Sequence, residues 1–496
     1  MIYVHSLGRA SRFYSAQAAL APWGARLSFS ELERRVKGIA ARLRALGFGA
    51  GDRLALLLPN SPEYIELVYA CSLLGVIAVP LNTRLTPVEI DRVLADSTPH
   101  GLVRHSSMPT PTAAVPWQRV LDLDPLEPRD DVPPNVVYDP EAILALIYTS
   151  GTTGNPKGVM VTHANIVANI NHLNYWMRYT EGGVFLHAAP IFHIADFPAM
   201  FSAPAFGASQ VTLPKFSPQS FCETVQRERV SHTILVPTMI NMLTQFRDAQ
   251  KYDLSSLAVL AYGGSPIAPE SIKRTRELLP QVKLVQVYGL SETGLLTGLQ
   301  DHEHTQDRLS SCGRPCPGID LQVTDESGNP VEVGEPGELV VRGDNVMQGY
   351  WNNPIETSLA FREGWFRTGD IGCQDSAGYC YILDRLKDMI VTGGENVYSG
   401  EVEAAIYAHP AVREAAVFGI PDPKWGELVM ACVVTQPGLT LKADDLVAHC
   451  RQRLATYKVP RKIEFMDCEL PKSGSGKILK RTLRDRFWVL EGRAVS

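Results

Sequence analysis

The sequence predicts an α/β protein: a large N-terminal domain of doubly wound α/β subdomains with a small β-rich unit, then a small α+β C-terminal domain. Three observations carry this expectation. Strand-like apolar runs alternate with helix-like stretches on both sides of residue 150, the rhythm that builds parallel sheets with helices on both faces. Beyond Cys312, Gly/Pro turns separate short strands instead. At 496 residues the chain also exceeds what one hydrophobic core spans, so two or more domains are required.

In order, Ser30 is the expected N-cap of the first long helix, with Glu33 as the returning carboxylate. Val36, Ile39, Ala40 and Leu43 follow at helical spacing, and the helix ends near Gly47. Residues 53–58 read as a buried strand, 62–74 as a helix and 76–80 as a second strand. Residues 106–140, rich in proline and polar groups, form a connector, and 142–147 is an apolar strand. The α/β rhythm resumes with strands at 184–188, 210–213, 232–236, 257–261 and 283–287. The β-rich part contributes 320–324, 338–342, 365–367 and 379–383. After the charged connector Asp384-Arg385-Leu386-Lys387-Asp388 come a strand at 389–392, a helix from Ser399, strands at 415–419 and 430–434, and a helix from about Lys442. The expected division is 1–384, a connector at 385–388, and 389–496.

Composition narrows the function classes. A hydrophobic content of 45% with 20% charged residues fits a globular chain, and a net charge of −6 provides no basic field for nucleic acid. The longest nearly apolar run, 67–81, is too short for a membrane span and is broken by Gly75 and Pro80. The first residues lack a basic segment followed by an apolar one, so a cytoplasmic protein with nine reduced cysteines is expected. Cys312 and Cys316, Cys373 and Cys380, and His302-Glu303-His304 lack a second ligand pair at zinc-like spacing.

The stretch that organises the chain is Tyr148-Thr149-Ser150-Gly151-Thr152-Thr153-Gly154-Asn155-Pro156-Lys157-Gly158-Val159. It follows a predicted strand and precedes Thr162-His163-Ala164, which opens like a helix; strand, Gly/Ser/Thr loop, helix is the layout of a phosphate cradle. The glycines let backbone N–H groups converge, the hydroxyls add donors, and Lys157 adds a full positive charge. The spacing is not the Gly-x-x-x-x-Gly-Lys-Ser/Thr of a Walker loop, which disfavours an ordinary P-loop kinase. A polar surface loop is the plain alternative.

Three further clusters stand out. Tyr288-Gly289-Leu290-Ser291-Glu292-Thr293-Gly294 sets a carboxylate at the carboxyl edge of a strand. That position suits Mg²⁺ held between protein and phosphate oxygens, or a cap on a following helix. Trp365-Phe366-Arg367-Thr368-Gly369-Asp370 ends in an aspartate on a tight turn, matched to a vicinal ribose diol or serving only the turn. Near the end, Pro471-Lys472-Ser473-Gly474-Ser475-Gly476-Lys477 puts a lysine on a Gly/Ser-rich loop, or on a solvated basic tail.

With Pro190-Ile191-Phe192-His193, Gly263-Gly264-Ser265-Pro266 and the stretches 337–343 and 381–403, these make eight motifs in one order. That order resembles the adenylate-forming superfamily of acyl- and aryl-CoA synthetases, luciferases and peptide-synthetase adenylation domains. The resemblance spans nearly the whole chain and is strongest to bacterial fatty-acyl- and aryl-CoA ligases. It implies a large N-terminal domain and a small mobile C-terminal domain that rotates between two half-reactions. A carboxylate first attacks the α-phosphorus of ATP, giving acyl-adenylate and pyrophosphate; a thiol, usually of coenzyme A, then attacks the adenylate. ATP, Mg²⁺ and coenzyme A are the implied partners, and a homodimer is compatible with the family.

By position, the resemblance implies that Thr149, Ser150, Gly151, Thr152, Thr153, Gly154 and Lys157 hold the β- and γ-phosphates. Glu292 would be the Mg²⁺ carboxylate, Ser291 or Thr293 a phosphate neighbour, and Tyr288 the ring on adenine. Gly264, Ser265 and Gly289 would lie along the nucleotide. Asp370 would take the ribose hydroxyls with Arg385 nearby. Lys477 would bridge the substrate carboxylate and the α-phosphate, where a positioned cation neutralises gathering negative charge. Lys387 occupies the hinge position, and Gly393 and Gly394 would flank the pantetheine tunnel. His193 would stand at the mouth of an acyl pocket lined by Ile194, Ala195, Met239, Gly263, Gly289 and Leu290, although a core histidine is an alternative.

That lining is apolar and small and carries no arginine for a second carboxylate, so a hydrophobic monocarboxylic acid is expected, a fatty acid first and an aryl acid second. Asp196 is the odd residue, facing either a helix N-terminus or the pocket. The rivals are a stand-alone adenylation enzyme loading a carrier protein, a luciferase-type oxygenase and, from another class, an inactive nucleotide-binding regulator. The last predicts a lost lysine or glutamate, yet Lys477 and Glu292 are present.

Overall fold

Two serine–glutamate pairs compete to start the first long helix, and the chain uses the earlier one. The computed structural model describes residues 2–21, 26–122, 139–150, 156–265, 267, 269–472 and 478–488. In it the helix Phe29–Ala45 is capped by Ser28, whose hydroxyl accepts from the Glu31 N–H while the Glu31 carboxylate accepts from the Ser28 N–H at 2.8 Å. The expected Ser30–Glu33 box is therefore displaced by two residues. Phe29 is fully buried, which draws the first turn inward, and Glu33 is taken by Tyr3, Ser11 and Lys37.

The described chain folds as two compact units, the first comprising 1–320 and 341–366, the second 321–340 and 367–496. The first unit holds two large sheets. In one, the parallel strands Ser209–Thr212, Val184–His187, His232–Leu235, Val259–Gly263 and Lys283–Leu290 lie side by side, and antiparallel strands close both edges. In the other, Ile143–Ser150, Ile77–Pro80, Arg53–Leu57, Gly101–Arg104 and Trp117–Val120 run parallel. Most of these strands are buried along their length, as in sheets covered on both faces.

The expected strand–loop–helix layout around residue 150 needs correcting. Between the loop and the helix His163–Met177 lies another strand, Pro156–Thr162, antiparallel to Ile143–Ser150. Val159 and Val161 are buried and the partly exposed Met160 alternates with them, so these residues extend along the sheet and the helix waits for its cap at Thr162. The organising element is a hairpin, with Lys157 on its return strand opposite Thr149.

In the second unit, Gly337–Arg342, Trp365–Gln374 and Cys380–Arg385 are successive neighbours of a short-stranded sheet. A last sheet pairs Val412–Asp422 with Gly426–Thr435 and adds Ile390–Thr392, Glu395–Val397 and Lys462–Phe465. The helices Ser399–Tyr407 and Ala443–Arg451 contribute Val402, Ile406, Leu446 and Cys450 to its apolar core. Large α/β subdomains plus a smaller α+β region are the fold class the sequence predicts. Among the described residues no helix is long and apolar enough to cross a membrane.

Candidate active site

The hairpin carries Lys157 to a neighbour the sequence does not announce. The short strand Gly349–Tyr350 pairs with the return strand, setting Tyr350 opposite Val159. The Lys157 ammonium then lies 5.2 Å from the centre of the Tyr350 ring and 2.5 Å from Glu356 Oε2. On the other side the Tyr350 hydroxyl donates to Glu292 Oε1 at 2.9 Å. The Met347 N–H donates to the Glu292 carbonyl at 2.7 Å, tying the same segment to the glutamate. One run of chain therefore joins the predicted phosphate cation to the predicted metal carboxylate. Sequence reasoning missed Tyr350 and Glu356; the available signal was the aromatic pair Tyr350-Trp351 ahead of the Asn353-Pro354 helix start.

Glu292 sits at the tip of a second hairpin, where Lys283–Leu290 turns back antiparallel as Gly294–Leu299. No helix follows, so the helix-cap reading of this carboxylate falls. Thr293 is 1% exposed; its hydroxyl accepts from the Leu290 N–H and donates to the Gly294 carbonyl. The hairpin thus uses the Thr293 hydroxyl, and Ser291 is the partly exposed one of the two. Tyr288 pairs in register with Thr297 and is partly exposed. A Cβ on Gly289 would overlap the Gly294 carbonyl oxygen, and one on Gly263 that of Val287, so sheet packing alone demands glycine at both positions. Gly264, at φ +84°, and Ser265 follow at the end of the neighbouring strand.

Residues 188–198 form a tight segment pinned by Asn60. Its amide donates to the carbonyls of His187 at 3.0 Å and Ala189 at 2.7 Å, and its oxygen accepts from the Ile191 N–H at 2.9 Å. His193 is half-buried, its Nδ1 accepting from the Ala195 N–H, while Ile194, Met239 and Leu290 are buried. Asp196 turns inward to a histidine. It is 1% exposed and lies 2.9 Å from His187 Nδ1, whose Nε2 meets Gln210 Oε1 at 2.9 Å. Burial pushes its carboxyl up and His187 pulls it back. A cleft of about 810 Å³ borders this segment, lined among others by Pro190, Phe192, Met239, Asn60, Arg84 and Lys215. Of the predicted pocket residues, Met239 reaches it.

In the second unit Asp370 is in mid-strand rather than on a tight turn. Thr368 donates to the Leu339 carbonyl at 2.7 Å and keeps the segment in its sheet, so Asp370 comes opposite Arg385. The carboxylate is 2% exposed and lies 2.6 Å from Arg385 Nε. Gly393 and Gly394, at φ +61° and +85°, form the two-residue turn between Ile390–Thr392 and Glu395–Val397, a geometry that itself demands positive φ twice. Burial pulls the Lys387 ammonium below its ordinary range. Gly151, Thr152, Thr153, Gly154 and Lys477 lie outside the described residues, as does the Ser150 side chain. On either side of the Lys477 stretch, Lys472 and Ile478 form an antiparallel bridge.

Two family profiles match the chain: the AMP-binding enzyme over residues 9–351, and the AMP-binding enzyme C-terminal domain over residues 401–477. The chain belongs to the adenylate-forming, AMP-binding enzyme family. Feruloyl-CoA synthase of an Amycolatopsis species is 40% identical to this AMP-binding enzyme, covering 97% of this chain and 98% of its own. The long-chain-fatty-acid–CoA ligase FadD13 of Mycobacterium tuberculosis is 35% identical over 93% of both chains. The o-succinylbenzoate CoA synthetase of Bacillus subtilis, solved with ATP and magnesium ion, superposes with a TM-score of 0.88 at 32% identity, covering 97% of this chain and 99% of that one.

The described residues fit the family's ligands. No group of three His, Cys, Asp or Glu side chains among them could hold a metal by itself. A Mg²⁺ here would therefore rest on Glu292 and on oxygens supplied by phosphate and water, the way this ion is ordinarily held. Lys157 and Asp370 offer a cation for phosphate and a carboxylate for hydroxyls, each already held by a counter-charge.

Proposed function

We propose that this AMP-binding enzyme is an ATP-dependent acid–thiol ligase for a hydrophobic monocarboxylic acid, with an aryl-propenoic acid placed ahead of a fatty acid. The order reverses the one drawn from sequence alone, because the feruloyl-CoA synthase resembles the chain more than the long-chain ligase does. The turning of Asp196 into a buried pair with His187 supports an uncharged pocket wall. The observation that carries the reaction class is the Glu356–Lys157–Tyr350–Glu292 sequence of contacts, which sets a cation beside a carboxylate.

In this reading Lys157 exchanges Glu356 for the β- and γ-phosphates, and Glu292 faces the phosphate side with its free oxygen. Mg²⁺, when bound there, supplies charge neutralisation between phosphate oxygens. Asp370, held by Arg385, accepts from the ribose hydroxyls, and Tyr288 packs against the adenine. Lys477 stands between the acid's carboxylate and the α-phosphate, so that attack forms the acyl–phosphate bond and expels pyrophosphate. The lobe beyond the 385–388 connector then turns, and the thiol of coenzyme A displaces AMP. The enzyme works in the cytoplasm.

Pyrophosphate release measured with a panel of acids tests this. Cinnamate-type acids should turn over fastest and dicarboxylates not at all; silence with every apolar acid removes the substrate reading, and absence of AMP with any acid removes the reaction. Coenzyme A compared with a carrier protein as acceptor decides the thiol. Lys477→Ala should abolish adenylation while thioester formation from supplied acyl-adenylate survives.

A further inference from the structure

The C-terminal helix Lys480–Trp488 begins three residues after Lys477. Lys480 and Arg484, four residues apart, share one face of it. The Lys480 ammonium donates to Ser399 Oγ at 2.6 Å and pairs with Glu403 Oε1 at 2.8 Å. Ser399 in turn gives its hydroxyl to Asp384 Oδ1 at 2.9 Å and its N–H to Asp384 Oδ2 at 2.5 Å. Ser399 is fully buried and Asp384 is 8% exposed. Glu403 also accepts from the Val417 N–H at 2.8 Å, which fixes the far side of the cluster to a core strand. One turn further along the helix, Arg484 donates to the carbonyl of Lys387 at 3.3 Å.

These bonds straddle the connector. Asp384 is the residue before 385–388, whereas Ser399, Glu403 and Lys480 all follow it. Any large change in the backbone torsions of 385–388 moves Ser399 and Lys480 relative to Asp384, and moves the Lys387 carbonyl relative to Arg484. The bonds therefore exist in one setting of the connector only. Burial pushes the carboxyls of Asp384 and Glu403 up, while those two carboxylates hold the partly buried Lys480 ammonium above its ordinary range, so the cluster depends on all three charges together.

We propose that this helix is a clasp on the hinge, with Lys480 and Arg484 as positioning residues that hold one of the two half-reaction arrangements and must release for the other. The inference rests on the ligase reading above in taking 385–388 as the hinge. A plain structural stitch is the competing account, and the two differ in what they do to the half-reactions.

Lys480 is the wrong residue to remove, since its loss leaves the partly buried Glu403 and the buried Asp384 without their cation. Asp384→Asn keeps the shape and deletes a charge; Arg484→Ala removes the second grip at a partly exposed position. ATP–pyrophosphate exchange reads the first half-reaction and thioester formation from supplied acyl-adenylate the second. A charged hydrogen bond present in one of two states biases their ratio by roughly tenfold or more. Both variants should therefore shift the ratio of the two rates in the same direction, Asp384→Asn by about tenfold. Amide hydrogen exchange over 385–394, followed without substrate, should speed up in both variants. Equal loss in both half-reactions, or unchanged exchange over 385–394, overturns the clasp. Should the unaltered enzyme fail to exchange pyrophosphate with any acid, the ligase reading is what has failed, and the amide exchange still decides the clasp.

Discussion

Replacing Glu356 by glutamine tests whether Lys157 is a phosphate ligand held in reserve by its neighbour. The Lys157 side chain is 15% exposed and that of Glu356 34%, with 2.5 Å between the charged atoms. Partly exposed pairs are worth up to about 1 kcal/mol after screening. If Lys157 must leave Glu356 to meet the nucleotide, that energy is subtracted from ATP binding. Glu356→Gln should then lower KM for ATP by about fivefold, the equivalent of roughly 1 kcal/mol, with kcat little changed. The swap is nearly isosteric and leaves the helix start alone, because Asn353 Oδ1 accepts from the backbone N–H of residue 356, not from its side chain. Initial rates of pyrophosphate release over a range of ATP concentrations, at saturating acid, give the number. In half-molar salt the gain should shrink, since a screened pair competes less. An unchanged or raised KM would refute the exchange and leave Lys157 a structural partner of Glu356.

Three further outcomes follow from the same geometry. Asp196→Ala removes the hydrogen-bond partner of a buried His187 nitrogen and should cost about 1–3 kcal/mol in denaturant unfolding, without altering the rank order of acids; a changed rank order would return Asp196 to the pocket wall. Gly289→Ala places a methyl group against the Gly294 carbonyl and should destabilise the hairpin by about 1–3 kcal/mol, with ATP turnover falling because Glu292 moves with the tip; wild-type activity would refute the packing account. Burial pulls His163 down to about 3 and His232 to about 4, so both are neutral in the fold. Their contribution is complete above the unfolded value near 6.5 and is lost as pH falls below it, by about 2–3 kcal/mol each at pH 4.5. Unfolding midpoints that are equal at pH 7.5 and 4.5 would contradict this.

The periodic part of the fold was readable because it follows from local chemistry. The helix expected over 62–74 has those bounds, because Ser61 caps it, Pro62 suits its first turn and Gly75 ends it in the left-handed region. The strands from Val184–His187 to Lys283–Leu290 declared themselves by apolar runs that only a doubly covered sheet tolerates. The failures occurred where local rules were degenerate. Ser28-x-x-Glu31 and Ser30-x-x-Glu33 are equally good boxes, and only the burial of Phe29 separates them. The strand Pro156–Thr162 was hidden because a glycine-rich loop and the cap at Thr162 both bordered it, leaving few residues in which to show a period of two.

The site divides along the same line. Glu292, Lys157 and Asp370 are candidates because the charge each carries suits phosphate, metal or ribose and their motifs follow the order of the family. Glu356 and Tyr350 could not be named, because pairing between strands distant in sequence brings them in, whereas Arg385 is already expected beside Asp370 and stands opposite it in the sheet. This asymmetry bears on how the site works. A lone buried cation or carboxylate is costly, so each of these charges is held by a partner in the fold. Glu356 is such a partner for Lys157, whereas Arg385 and the Tyr350 hydroxyl hold Asp370 and one Glu292 oxygen without having to leave. If Lys157 meets the nucleotide as proposed, its affinity is weakened by the strength of the Glu356 contact. That is why Glu356, a residue the sequence did not point to, is the one expected to set KM for ATP.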